Sequence, residues 1–242
     1  MGGLIYPDTA TRDFKRFFEH VKKNGFNPKT VIDAGAAKGT PSLHQAFPDA
    51  YFYLFEPVQE FIPELKVLMK KYKGEVHDCG LVSEAPGLQF KGEGPEQYTK
   101  IFRTRNNPYG SSLMHRVTDI NDDRLEDVKI NTLDRVLAHY DELPKPFLLK
   151  TDCQGGDFDV VKGGVKVLSV CEIVIMEVSF FKFWGNHHPN ALEIFNFMDE
   201  QGFVIYDFLD GLFRPLDGAL GQIDVAFVRK DSLLKKDNQW GA

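Results

Sequence analysis

The 242-residue chain carries little that would tie it to an oxidising compartment, a membrane or a nucleic acid. Its three cysteines, Cys79, Cys153 and Cys171, are odd in number and far apart, which suits reduced thiols in the cytoplasm better than a disulfide framework. No basic stretch followed by an apolar run stands near the first residues, so no secretory signal is expected. The most apolar stretch, Cys171 to Trp184, contains Glu172, Glu177 and Lys182 and is too short to insert into a bilayer; it reads as a buried strand. Basic residues are in the minority, 29 Lys and Arg against 35 Asp and Glu, and the net charge is −6. The densest basic cluster is only Lys70, Lys71 and Lys73, so phosphate backbones find no general attraction and nucleic acid is not the expected partner. Internal repeats and low-complexity tracts are also missing.

What is present is a core. With 43% apolar and 13% aromatic residues the chain has the make-up of an ordinary globular protein, here read as one domain over residues 1–242. Phe14, Phe17, Phe18 and Val21 recur at helical spacing and predict an amphipathic helix over about 9–23. Short apolar runs then alternate with helical patterns. Strands are predicted at 30–34, 51–55, 75–82, 147–151, 172–178, 204–208 and 224–229, and helices at 41–47, 61–72, 158–168 and 190–201. Strand-helix alternation of this kind makes an α/β, doubly wound, mostly parallel sheet of seven strands. A short turn around 217–221 joins the last two strands, so the last is expected to run antiparallel. Between about 83 and 127 lies a polar insert rich in Gly, Pro and Asn, with short strands expected near 88–91 and 112–117. An insert of that length suggests a functional loop.

The first strand runs through Asp33 into Gly35-Ala36-Ala37-Lys38-Gly39, and a helix follows at once. Open α/β sheets bind ligands at such a strand end. The order is not G-x-G-x-x-G, which disfavours a dinucleotide and hence a nicotinamide oxidoreductase. Gly35 and Gly39 permit close backbone approach, and Asp33 offers an anion suited to a ligand ammonium group. The second strand ends on Glu56-Pro57, where a carboxylate could take both hydroxyls of a ribose. A ligand with an amine and a ribose satisfies both acids. S-adenosylmethionine (SAM) has both, with a sulfonium besides. A tight strand-to-helix connection without a ligand is the plainer alternative.

These residues resemble the first two motifs of class I SAM-dependent methyltransferases, and the chain as a whole resembles the FkbM family within that class. The matching strings are VIDAGAAKG (31–39), FEP (55–57), GSSL (110–113), INTLD (130–134), LLKTDCQGGDFDVVKGG (148–164), IMEVS (175–179) and GQIDVAFV (221–228). The resemblance implies a Rossmann-like fold, SAM as cofactor, and O-methylation of sugar or natural-product hydroxyls. It also places Asp78 and Cys79 beside the adenine, although Cys79 reads equally well as a small buried residue. The chain departs from the family in two places. Ala37 stands where G-A-N-x-G has Asn, and Asp157 replaces the Glu of D-x-E/Q-G-x-E.

Methyl transfer needs the donor carbon and the acceptor oxygen held in line, and a base to take the hydroxyl proton. Asp152, at the end of the fourth strand, could bind cofactor, orient the acceptor or act as that base; capping the next turn is its structural alternative. Glu177 ends the fifth strand on the same rim, or is a buried acid in a structural pair. His115, after Ser111-Ser112 in the insert, is a third candidate base, and the insert is expected to form part of the acceptor site. Asp152 and Glu177 together could hold Mg²⁺, a metal the reading keeps open without favouring it. The expected acceptor is a small molecule or sugar, and the oligomeric state is open. Two rivals stand beside this reading. Asn106-Asn107-Pro108-Tyr109 approximates a motif of nucleic-acid base methyltransferases but sits in the insert, and a SAM-binding module without catalysis would show the same turns.

Overall fold

A computed structural model of the protein describes residues 11–83, 97–104, 108–114, 123–237 and 239. Helix α1 (Phe14–Lys23) begins where the Asp13 carboxylate accepts the Arg16 N–H at 2.7 Å, inside the limits read from periodicity, and buries Phe17, Phe18 and Val21. It is followed by β1 (Thr30–Ala34), α2 (Pro41–Ala46), β2 (Tyr51–Phe55), α3 (Ile62–Leu68) and β3 (Lys73–His77). The chain then leaves this sheet, so the strand expected over 75–82 is split. Gly80–Leu81 (β4) pairs instead with a strand of the insert.

The described part of the insert contains β5 (Gln97–Thr104) and β6 (Asp123–Asn131), antiparallel to each other, which with β4 form a three-stranded sheet in the order β4-β6-β5. These are not the strands expected in the insert. Residues 88–91 and 115–117 lie outside the described residues, and Ser112–Met114 belong to no named strand.

Beyond the insert come α4 (Leu133–Val136), β7 (Phe147–Thr151), α5 (Asp157–Lys162), α6 (Val165–Leu168), β8 (Cys171–Ser179), α7 (Ala191–Glu200), β9 (Phe203–Phe213) and β10 (Leu220–Arg229). The single helix expected over 158–168 breaks at Gly163 and Gly164. A Cβ at Gly163 would stand 2.2 Å from the Val82 carbonyl oxygen, so the bend is where the helix passes under the exit of β4.

The main sheet has the order β3-β2-β1-β7-β8-β10-β9, parallel except for β10, which pairs antiparallel with both β8 and β9. The expected reversed last strand is present, slotted between its neighbours. β1 and β7 are buried along their whole length, and their apolar residues Val31, Ile32, Phe147, Leu148 and Leu149 run together without the alternation of a half-exposed strand. Leu43 and Phe47 after β1 pack with Phe17 and Phe18 on one face, whereas Val160 and Val161 after β7 pack with Leu149 and Met176 on the other. The chain therefore departs from two adjacent strands in opposite directions, and a crevice opens at their carboxyl ends.

Candidate active site

The turn after β1 fits against the turn after β7. A Cβ on Gly35 (φ +75°) would fall 2.0 Å from the backbone oxygen of Asp152, so glycine is needed for the two turns to meet. Gly39 serves packing: its Cβ would meet Leu68 and His44 on the buried side. Ala36 is buried in the core, and the Lys38 ammonium reaches outward to Glu64 at 2.9 Å. Ala37 adopts φ +46°, a left-handed conformation that Asn accepts more readily than Ala, which gives the family's Asn at this position a backbone reason.

Glu56 forms the second wall. Its Oε2 accepts the Ala37 N–H and its Oε1 the Val58 N–H, both at 2.8 Å, so the carboxylate ties the turn after β1 to the segment after β2. It is only 4% exposed and lines the crevice with Gly35, Ala37 and Pro57. Burial pushes its carboxyl up to about 7; the two N–H donors pull the other way, Asp33 adds to the rise and Lys150 opposes it. Asp33 itself is fully buried. Its Oδ2 accepts from Thr40 Oγ1 at 2.9 Å and its Oδ1 lies 3.3 Å from Lys150 Nζ, placing it beneath the turn and not on the crevice wall.

The insert covers this crevice. Ile101 and Leu113 close over Val58 and Phe61, Leu81 and Cys79 line the inner side, and the Tyr109 ring stands 5.2 Å from that of Phe61 at the mouth. Burial raises the Cys79 thiol to about 12, which makes it an inert wall residue. The Asp78 carboxylate turns to Lys129, 3.7 Å away, and is not part of the wall. A narrow apolar slot beside a buried carboxylate suits a flat heterocycle joined to a diol.

A second cleft of about 670 Å³ adjoins the first and shares Tyr109, Asp152 and Gln154 with it. That volume suits a small-molecule substrate. Phe183, Leu212, Phe213 and Ile223 supply its apolar wall, and Asp152, Glu177, Asp210 and Asp224 its acidic one. Asp152 Oδ1 accepts from Gln154 Nε2 at 3.1 Å and its Oδ2 lies 3.5 Å from Lys150 Nζ. Lys150 is buried between Asp33 and Asp152. Burial pulls its pKa down, but Asp33, Asp152 and Asp224 outweigh that and the net movement is upward. Glu177 Oε2 accepts from Gln222 Nε2. The turn after Asp152 is held in shape by left-handed Gln154 (φ +50°) and Gly155 (φ +93°), and a Cβ on Gly155 would strike the Trp184 ring at 2.5 Å. Ser112 Oγ donates to the Gln154 carbonyl at 2.6 Å, fastening the insert to this turn. Asp157 accepts the Cys153 N–H at 3.1 Å and is buried, so the shorter acid serves the turn and not the cleft.

The crevice thus brings together Gly35, Ala37, Glu56, Pro57, Cys79 and Asp152, with Glu177 in the adjoining cleft. His115 lies outside the described residues. His187 and His188 line a separate cavity with Lys162 and Lys182, and the His188 ring stands 5.0 Å from that of Trp184. Among the described residues no three His, Cys, Asp or Glu side chains are grouped to hold a metal. Lys150, Gln222 and Asp224 also face the site, though no motif marks them as site residues. The signal the sequence holds is a lysine within the buried run LLKTD and a lone acid within IDVAFV.

The FkbM methyltransferase domain model matches residues 33–205. No curated protein sequence matches the chain. Among solved structures, magnesium protoporphyrin IX methyltransferase from Synechocystis PCC 6803, with bound SAM, is 12% identical at a TM-score of 0.45, over 89% of this chain and 79% of that one. The 1,6-didemethyltoxoflavin-N1-methyltransferase of Burkholderia thailandensis is 13% identical at 0.44, over 90% and 77%. A putative rRNA methylase from Clostridium thermocellum is 10% identical at 0.46, over 93% and 99%. The family match takes in both turns, Glu56, the insert, Asp152 and Glu177, and by it the chain belongs to the FkbM methyltransferase domain family of SAM-dependent methyltransferases.

Proposed function

We propose that the protein transfers the methyl group of SAM to a hydroxyl of a small molecule, sugar or natural product held in the larger cleft. The observation that carries this reading is Asp152, which lies on the shared wall of the two clefts, where donor carbon and acceptor oxygen would meet. The residues present fit SAM. Glu56 offers a buried carboxylate to the ribose hydroxyls, the slot between Phe61, Leu81 and Ile101 takes the adenine, and Gly35 lets the two turns close around the remainder. When bound, SAM supplies an activated methyl on a sulfonium. Asp33 supports the turn from below through Thr40 and Lys150. Asp152, steadied by Gln154 and Lys150, orients the acceptor hydroxyl or receives its proton.

The acidic wall argues against a nucleic acid substrate, whose phosphates would face Asp152, Glu177, Asp210 and Asp224. The three free cysteines support a cytoplasmic setting. No helix of the described residues is long and apolar enough to cross a membrane.

The test is Asp152→Asn. The variant is expected to stay folded and keep most of its SAM affinity while transfer falls ~100-fold or more if Asp152 is the base, and less if it only orients. Activity in both proteins is expected to survive EDTA. Loss to EDTA with recovery in Mg²⁺ would make Asp152 a metal ligand, and full activity in the variant would remove it from the site.

A further inference from the structure

Four carboxylates reach the acceptor cleft from neighbouring strands: Asp152 after β7, Glu177 on β8, Asp224 on β10 and Asp210 on β9. Asp224 stands directly opposite Glu177 in the β8–β10 register, so both project at the same level of the sheet. The four are not chemically equivalent: Asp210 is exposed to solvent, whereas Asp152, Glu177 and Asp224 are partly buried. Asp152 is held by Gln154 and Lys150, and Glu177 accepts from Gln222. Each has lone pairs committed to protein donors. Asp224 is partly buried, and its carboxylate accepts no hydrogen bond among the described residues. A base needs a lone pair free to meet the substrate proton, and orienting groups need to be fixed themselves.

We infer that Asp224 is the catalytic residue that takes the proton of the acceptor hydroxyl, while Asp152 and Glu177 hold that hydroxyl in place; this rests on the larger cleft being the acceptor site. In the transfer step the acceptor oxygen bonds to the methyl carbon and the methyl–sulfur bond breaks, its electron pair staying on sulfur. The hydroxyl proton passes to an Asp224 oxygen, leaving methyl ether, S-adenosylhomocysteine and a neutral carboxylic acid that loses its proton to water after product release.

The surroundings of Asp224 suit the task. Burial and then the neighbouring Asp152 push its carboxyl up to about 7; Lys150 pulls it down, and Asp157 and Asp210 add to the rise. Glu177 faces it from β8. A base that ionises near neutrality both exists in the right form and holds a proton well.

The experiment follows methyl-labelled SAM into the product peaks that the wild-type protein forms in a small-molecule extract of its source cells, between pH 5.5 and 9. SAM is kept saturating so that Glu56 does not contribute to the profile. Wild-type transfer is expected to fall on the acid side with a midpoint at or below about 7. Asp224→Asn should lose ~100-fold or more and lose that acid limb, with SAM affinity unchanged by calorimetry. Asp152→Asn should keep the limb on whatever activity remains. The reverse pattern, with the limb lost in Asp152→Asn and kept in Asp224→Asn, overturns the assignment and leaves the methyltransferase reading intact. Absence of any labelled product from the wild-type protein overturns both. Carboxyl ¹³C NMR of the wild-type protein provides a readout without turnover, and does not depend on the variant folding. An aspartate signal titrating near 7 and missing from Asp224→Asn is expected, whereas an Asp224 midpoint below 5 would end the proposal.

Discussion

Lowering the pH should weaken SAM binding through Glu56. In the protein without ligand, burial raises this carboxyl from 4.5 to about 7, so at pH 7 roughly half of the molecules carry a proton there. Two ribose hydroxyls donating to Glu56, as proposed, would favour its anion, so binding would expel that proton. At pH 6 about one molecule in eleven is ionised, and the apparent affinity should be about tenfold weaker than at pH 8. The same group acts on folding in the opposite sense. Because the folded protein holds the proton more tightly than the unfolded chain, Glu56 favours folding fully below 4.5, and that contribution, about 3 kcal/mol, is lost as pH rises through about 7. The assay is titration calorimetry with SAM at pH 6, 7 and 8 in buffers of different ionisation enthalpy. Proton release near 0.9 at pH 6 and near 0.5 at pH 7 is expected, by the same ionisation arithmetic. Glu56→Ala should flatten the profile and cost ~1–3 kcal/mol of affinity, part of it from freeing the Ala37 and Val58 amides. An affinity independent of pH, with no proton released, would refute the ribose assignment.

Two further expectations concern stability. Ala37→Asn should raise it by ~0.5–1 kcal/mol in thermal unfolding, because φ +46° costs Ala more than Asn, and a variant no more stable than wild type would remove the backbone explanation of that position. Lys150→Met should destabilise by ~3–5 kcal/mol, since it leaves the fully buried Asp33 charge without its cation. Adding Asp33→Asn to it should restore part of the loss in urea unfolding; strict additivity of the two changes would mean that the pair does not interact.

The strands buried on both faces were the most legible part of the fold. β1, β2 and β7 begin and end within a residue or two of their apolar runs, and the charged residues they carry, Asp33 and Lys150, stand near the carboxyl ends. Legibility failed where a contact distant in sequence decides the structure. The break at Gly163–Gly164 answers to Val82, and the departure after β3 answers to pairing with Ile130 and Asn131. β5 and β6 are mostly polar, and their pairing across the insert leaves no local periodicity strong enough to read. The site divides the same way. Glu56 and Asp152 stand where apolar strands end, which is a local signal. Asp224 lies inside an antiparallel strand and enters the cleft only because β10 inserts beside β8. Asp33 has the local signal too, yet Lys150 and Thr40 take up its carboxylate below the turn.

The most direct test of the account is the position of the methyl group. Incubation of the protein with methyl-labelled SAM and a small-molecule extract of its source cells, followed by fragmentation mass spectrometry, should place the label on oxygen of an unphosphorylated small molecule or sugar, with S-adenosylhomocysteine formed in equal amount. Label on nitrogen or carbon, label in nucleic acid, or SAM bound without any transfer would contradict it.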